Sequence, residues 1–303
     1  ALQSNTTGVG NTAIGEQALT GNTTASYNTV VGRGASDVST TAQKNTIIGY
    51  NAFGAGTTGS QNVAVGYNAL ADNTTGNYNT ALGDHALISN TTAHNNTAVG
   101  HKSLYTSTTA EENTALGFQA GYSITTGNFN TALGHKALYT QTTSTYSVGV
   151  GRYALRLATT GEKNTACGAS CLYNTTTGNY NTAIGLIAGD PITTGGNNTC
   201  LGYNAGSSSS PSGAITTGSD TICLGDDSVG DLFCADTSIS SSDSRDKADI
   251  TNFTPGLSWI NALRPVTYKW DKRSWYLGEG EDDLTKVTRD GSKKKSKVHV
   301  GFV

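Results

Sequence analysis

The sequence predicts an all-β fold, in which residues 1–239 form a parallel β-solenoid of 17-residue coils and residues 240–303 form a smaller second domain. A five-residue motif that recurs at a constant step predicts the solenoid, because fixed-period self-similarity is the signature of repeat architectures. Glycines and Thr-Thr pairs between the apolar positions argue against helices. The second domain is indicated where the periodicity stops and all three tryptophans appear, at Trp259, Trp270 and Trp275.

The repeated motif is Asn-Thr-(Ala/Val/Ile/Cys)-apolar-Gly, with minor variants. Its glycine recurs every 17 residues, at Gly15, Gly32, Gly49, Gly66, Gly83, Gly100, Gly117, Gly134, Gly151, Gly168, Gly185 and Gly202. A thirteenth copy at residues 221–225 follows after 23 residues. The six extra residues fit the serine-rich stretch 207–213, which we expect to form a loop on the last coil.

Each motif has the length of a short strand, and a second apolar pair such as Ala69-Leu70 begins three residues after the glycine. We therefore expect two short strands in each coil. Coils stacked at strand spacing advance ~4.8 Å each, so the eleven 17-residue steps predict a rod on the order of 50 Å long. The glycines are expected at corners that need a positive φ.

Composition excludes several classes of partner. The 19 Lys+Arg and 22 Asp+Glu residues give a net charge of −3, which offers no field for nucleic acid or an anionic membrane. No apolar run is long enough to insert into a membrane. Acidic residues are sparse and scattered along the repeats, so no carboxylate pair is suggested for glycoside hydrolysis.

No cofactor or metal site is expected. Four histidines lie in the repeats without metal-ligand spacing, and we interpret them as exposed turn residues: His85, His94, His101 and His135. The five cysteines also lack metal spacing, and we interpret them as reduced. Cys167, Cys200 and Cys223 occupy motif positions that Ala, Val, Ile or Leu hold elsewhere, which predicts small apolar fillers. The Asn-x-Thr triplets are expected to form stacked polar ladders.

Both faces of the predicted strand are apolar, since Ala81 and Leu82 are adjacent and point to opposite sides. One face can fill the solenoid, whereas the other needs a partner, which favours lateral association of identical chains. The repeats resemble the head repeats of trimeric autotransporter adhesins and of related phage tail fibres, which are parallel β-rolls with a shorter repeat. The resemblance implies a homotrimer.

The C-terminal segment has its own pattern. Thr254-Pro255 predicts the start of a short helix that carries Leu257, Ile260 and Leu263 on one face. Residues 266–270 and 298–303 are predicted strands on either side of a charged excursion at 271–296.

Three ordered motifs in this segment resemble the opening of the endosialidase-type intramolecular chaperone, which is found at the end of phage tail spikes and fibres. They are Ser-Asp-Ser-Arg-Asp-Lys at 242–247, Leu-Arg-Pro-Val-Thr-Tyr-Lys-Trp at 263–270 and His-Val-Gly-Phe-Val at 299–303. The resemblance implies that residues 240–303 are the start of a small α+β chaperone domain.

The chaperone family releases itself by autoproteolysis. The resemblance assigns Ser242 as the nucleophile and Lys247 as the base, with cleavage of the Ser241-Ser242 bond. This chemistry is reasonable because a serine hydroxyl is inert near neutral pH until a base takes its proton, and a lysine can act as that base once burial lowers its pKa.

The function expected from these features is a structural and host-adhesion fibre in the virion of a tailed phage, whose only chemistry is self-cleavage. Its partner would be a receptor on the host cell surface, and we expect this receptor to be a glycan. The first alternative is a trimeric adhesin on a bacterial cell surface, which would need a C-terminal membrane anchor. The second is a polysaccharide-degrading tail spike with its catalytic domain before residue 1.

Overall fold

The computed structural model describes residues 1–231, 265–269, 292 and 298–302. The chain divides into two compact units, Ala1–Phe233 and Cys234–Val303. The boundary expected between residues 239 and 240 lies outside the described residues.

The first unit is an all-β solenoid. Its thirteen strands contain three residues each and are β1 (Thr12–Ile14), β2 (Thr29–Val31), β3 (Thr46–Ile48), β4 (Val63–Val65), β5 (Thr80–Leu82), β6 (Thr97–Val99), β7 (Thr114–Leu116), β8 (Thr131–Leu133), β9 (Val148–Val150), β10 (Thr165–Cys167), β11 (Thr182–Ile184), β12 (Thr199–Leu201) and β13 (Ile222–Leu224). They form one parallel sheet in sequence order. Each residue pairs with its equivalent one coil later, as Ala81 does with Ala98. This confirms the β-solenoid of 17-residue coils.

The interior of the coil is narrow and is filled by small and medium apolar side chains. The middle residue of each strand from β2 to β13 points inward, and Ala81 is fully buried. A larger apolar side chain from the opposite side of the coil, such as Leu70 or Leu87, adds to this core in most coils and is also fully buried. The apolar residues thus form one continuous core along the solenoid.

A buried asparagine ladder runs beside this core. The backbone N–H of Asn79 donates to Oδ1 of Asn62 at 2.9 Å, and Nδ2 of Asn79 donates to the carbonyl oxygen of Ala93 at 2.8 Å. The same bonds recur in neighbouring coils, so each asparagine side chain satisfies two backbone groups of the following coil, and its own N–H is satisfied by the asparagine of the preceding coil. The expected polar ladder is confirmed at the asparagine of the motif.

The prediction of a second strand in each coil is wrong. Ala69 and Leu70 lie in a turn segment, with φ of 50° at Asn68 and 54° at Leu70. The Asn68 N–H donates to the carbonyl oxygen of Tyr50 in the preceding coil, whereas the Leu70 N–H donates to Ala86 in the following coil. Both residues have a positive φ, so the coil bonds to its two neighbours here through a turn rather than through strand dihedrals.

The motif glycines occupy corners, as expected. Gly117 has a φ of 135°, and a Cβ at this position would lie 2.7 Å from the carbonyl oxygen of Gly134. Both the dihedral and the close approach of the next coil therefore require glycine. The serine-rich insertion is also confirmed as a loop: residues 207–213 form turns, while β12 and β13 keep their pairing across it.

In the second unit, β14 (Pro265–Lys269) and β15 (Val298–Phe302) form an antiparallel pair. The two strands predicted near these positions are confirmed over these ranges. The helix expected from Thr254 lies outside the described residues. In the ranges that are described, no helix has the length and apolar character to cross a bilayer.

Candidate functional site

The self-cleavage site assigned by resemblance cannot be placed, because Ser241, Ser242 and Lys247 lie outside the described residues. Their roles stay predictions. The structure does bring together the second and third motifs of this segment. The register of β14 and β15 places Val266 opposite Gly301, and Tyr268 opposite His299.

A second candidate site is the outward face of the 13-stranded sheet. The third residue of each strand points away from the core, and we call this column the apolar stripe: Ile14, Val31, Ile48, Val65, Leu82, Val99, Leu116, Leu133, Val150, Cys167, Ile184, Leu201 and Leu224. Strand pairing places these residues side by side without interruption. Leu82 is 45% exposed and Leu116 is 50% exposed. The stripe is thus a continuous apolar surface in the single chain.

Aromatic and aliphatic side chains widen this surface. The residue after the motif glycine is large, apolar and exposed in five coils, at Tyr50, Tyr67, Phe118, Leu186 and Tyr203. The expectation that one strand face fills the solenoid and the other is left without cover is confirmed for the isolated chain. Contiguous apolar surface of this kind marks an interaction site in a soluble protein.

The histidines differ in environment. His101 is exposed and stacks on Phe118, with ring centroids 5.3 Å apart, and Phe118 in turn stacks on His135 at 5.2 Å. His94 is half-buried, and its Nδ1 accepts a hydrogen bond from the Asn77 N–H at 2.9 Å. The expectation of exposed turn histidines is therefore right for His101 and wrong for His85, His94 and His135, which are half-buried. Within residues 1–231, no group of three or more His, Cys, Asp or Glu side chains is arranged to hold a metal ion.

The cysteines also divide by face. Cys200 and Cys223 are buried fillers, as expected, whereas Cys167 is exposed because it occupies the stripe. Cys171 packs in the core, and burial raises its pKa to about 12. Burial likewise raises the pKa of Cys200 to about 11. The thiols of Cys171 and Cys200 therefore stay protonated and unreactive near neutral pH.

One group of residues has no counterpart among the expectations from sequence. Tyr105, Tyr122 and Tyr139 stack in a column with centroids 5.0 and 5.1 Å apart. One coil further on is Arg156, which lies next to Tyr173 in the coil after it. These positions are separated by multiples of 17, or by 17 itself, so the coil period would have identified the column.

Comparison with known proteins supports the chaperone part of the chain. Residues 242–303 match the sequence model of the Peptidase_S74 family, described as the chaperone of endosialidase. The match covers the last 62 of the 303 residues. No curated protein and no solved structure matches the chain. The description of the solenoid and its stripe is therefore supported by the repeat and by the structure. The C-terminal segment, in contrast, is similar to a self-cleaving chaperone.

Proposed function

We propose that the protein is a structural and adhesion fibre of a tailed phage, assembled as a homotrimer with the help of its C-terminal segment. The observation that carries the proposal is the match of residues 242–303 to the endosialidase chaperone family, directly after a solenoid of thirteen coils. In this proposal the fibre belongs to the virion and contacts a glycan receptor on the host cell. It neither binds nucleic acid nor inserts into a membrane.

The apolar stripe supports lateral assembly. It follows every coil from β1 to β13, so a partner that covers it must repeat with the same axial step. A second copy of the same chain meets this requirement along the full length of the sheet. Three copies would close around the fibre axis, which leaves no stripe uncovered. The number of chains in the assembly, three, is implied by the resemblance of the repeats to those of trimeric autotransporter adhesins.

A chaperone segment would set the axial register of the three solenoids. Because the coils are nearly equivalent, three solenoids could pair after a slip of one whole repeat and lose only the contacts at their ends. A C-terminal domain that trimerises first would align the chains. Its later release would make the assembled fibre resist unfolding kinetically.

The release step uses the two residues that the resemblance assigns. Lys247 takes the hydroxyl proton of Ser242, and Oγ attacks the carbonyl carbon of Ser241. The Ser241-Ser242 peptide bond breaks as the amine of Ser242 leaves with a proton, and water then hydrolyses the resulting ester. The products are a fibre ending in a carboxylate at Ser241 and a chaperone fragment beginning at Ser242.

Intact mass of the denatured protein tests this step. The full chain should yield a species ending at Ser241 and a fragment beginning at Ser242. Ser242→Ala and Lys247→Met should each leave one continuous chain, since the first removes the nucleophile and the second the base. Ser240→Ala is the matched control and should cleave normally. A wild-type chain that stays continuous through Val303, or a Ser242→Ala chain that still cleaves, would contradict the assignment.

A further inference from the structure

Three cations in the middle of the solenoid lie among aromatic rings and lack acidic partners. We call this group the cationic aromatic cluster: Lys136, Tyr139, Arg152, Tyr153, Arg156 and Tyr173. Lys136 Nζ lies 5.2 Å from the centroid of Tyr139. Within residues 1–231, none of the three cations forms an ion pair with a carboxylate.

The guanidinium groups of both arginines lie over one tyrosine ring. The guanidinium carbons of Arg152 and Arg156 lie 4.3 and 5.0 Å from the centroid of Tyr153. Arg156 also lies 5.4 Å from the Tyr173 ring, and its Nη1 donates to the Tyr173 hydroxyl. The rings of Tyr153 and Tyr173 therefore position the guanidinium of Arg156. The positive charges of Arg152 and Lys136 lie in the same cluster.

The hydrogen-bonding capacity of Arg156 is not met. Its Nε is buried and has no acceptor within the described part of the chain. A guanidinium presents its donors as a planar fork that fits the two oxygens of a carboxylate. An acidic ligand that reaches this edge after a rotation of the side chain would supply the missing acceptor and neutralise the adjacent charges.

The local charge differs from that of the whole chain. On this side of four consecutive coils, residues 101–107, 118–124, 135–141 and 152–158 contain four Lys or Arg and no Asp or Glu. The fourth cation is Lys102, two coils before Lys136, which corresponds to about 10 Å at strand spacing. The net charge of −3 therefore conceals a local basic surface.

We propose that the cationic aromatic cluster binds a carboxylate-bearing polysaccharide that runs along the solenoid. The four cations span three coil steps, ~14 Å, and thus suit a ligand with widely spaced charges. Duplex DNA carries one charge per ~1.7 Å of axis and would leave most phosphates unpaired here. Tyrosine hydroxyls in the cluster can donate to and accept from sugar hydroxyls. The inference rests on the proposed adhesive function and names its ligand class and surface.

The test measures binding of the full chain to oligogalacturonate, which has a carboxylate on every sugar, and to its carboxyl-reduced form. The acidic form should bind at least about tenfold more tightly, and its affinity should fall with salt. Arg152→Gln combined with Arg156→Gln should weaken binding by at least about tenfold, and Arg156→Lys should lose part of it because the fork is removed.

Arg33→Gln is the matched control. Arg33 also lies over a tyrosine, 5.7 Å from the Tyr50 centroid, but it is paired with Glu16 at 2.9 Å. Its substitution should leave binding unchanged. Equal affinity for the acidic and reduced forms, equal loss in Arg33→Gln and the double variant, or tighter binding of single-stranded DNA would each overturn the proposal. The same samples are also measured for oligomeric state, which tests fibre assembly, and for intact mass, which tests self-cleavage. A failure of the proposed function is therefore distinguished from a failure of polysaccharide binding.

Discussion

At the residue scale, the motif asparagine is buried in most coils and bonds to backbone groups of the neighbouring coils. The backbone N–H of Asn113 donates to Oδ1 of Asn96 at 2.9 Å. Its Nδ2 donates to the carbonyl oxygen of Gly127 at 2.9 Å, and its Oδ1 accepts from the Asn130 N–H at 2.9 Å. The residue therefore ties its own coil to both neighbours: its side chain bonds to the following coil, and its backbone N–H bonds to the preceding one.

Substitution of this asparagine should destabilise the solenoid. Asn113→Ala leaves a buried carbonyl and a buried N–H without partners, and we expect the free energy of unfolding to fall by about 2–4 kcal/mol. Thermal unfolding followed by circular dichroism measures the change. Thr109→Ala is the control, because Thr109 is exposed and should shift stability by less than about 0.5 kcal/mol. Equal melting temperatures for the two variants would show that the ladder contributes little.

At the scale of the element, the coil depends on its glycine corner. Each motif glycine from Gly15 to Gly185 has a positive φ, and a Cβ there would meet backbone atoms of the next coil at under 3 Å. A side chain at this corner would force neighbouring coils apart. This stacking is the reason that the motif ends in glycine in every coil.

Gly117→Ala should therefore cost more than an ordinary surface substitution. The positive φ and the 2.7 Å approach to Gly134 lead us to expect a loss of about 1–3 kcal/mol or more in the free energy of unfolding. Gly230→Ala is a matched control, since a Cβ there would have no atom within 4 Å. Denaturant unfolding of both variants checks the difference, and a Gly117→Ala protein as stable as the control would refute the corner argument.

At the scale of the whole molecule, we expect the apolar stripe to decide whether single chains associate. Leu82→Asp combined with Leu116→Asp places two charges on the stripe, where an assembled interface would have to bury them without partners. We expect folded single chains in place of trimers, measured by analytical ultracentrifugation with circular dichroism as the check on folding. Thr75→Asp with Thr109→Asp, at exposed threonines outside the strands, should still assemble. Trimers from the leucine variant would place the interface elsewhere.

Cys167 provides a chemical report on the same surface. It lies on the stripe and is exposed in the single chain, whereas Cys171 is buried with a pKa raised to about 12. At pH 8 we expect iodoacetamide to label Cys167 in the Leu82→Asp/Leu116→Asp protein but not in the assembled wild type. Cys171 should stay unlabelled in both, because its thiol remains protonated. Peptide mass spectrometry locates the label, and rapid labelling of Cys167 in wild-type trimers would show that the stripe is not covered.

Much of the fold could be predicted because the motif recurs many times at a constant spacing. The 17-residue step, the strand at each motif and the glycine corner are all local patterns that the stacking of coils preserves. The processing site is different. Ser242 and Lys247 were assigned only by resemblance, since a serine and a lysine five residues apart carry no structural signal of their own.

The sequence by itself determined that this chain is a solenoid whose strands are apolar on both faces, and that its last part resembles a chaperone. Only the tertiary structure decided that the Ala-Leu pair forms a turn, because the positive φ values at Asn68 and Leu70 accompany hydrogen bonds to the preceding and the following coil. It also decided that the guanidinium groups of Arg152 and Arg156 both lie over the Tyr153 ring. Residues one coil apart meet through the stacking of the chain, and the directions of their side chains are set by that packing rather than by the pattern.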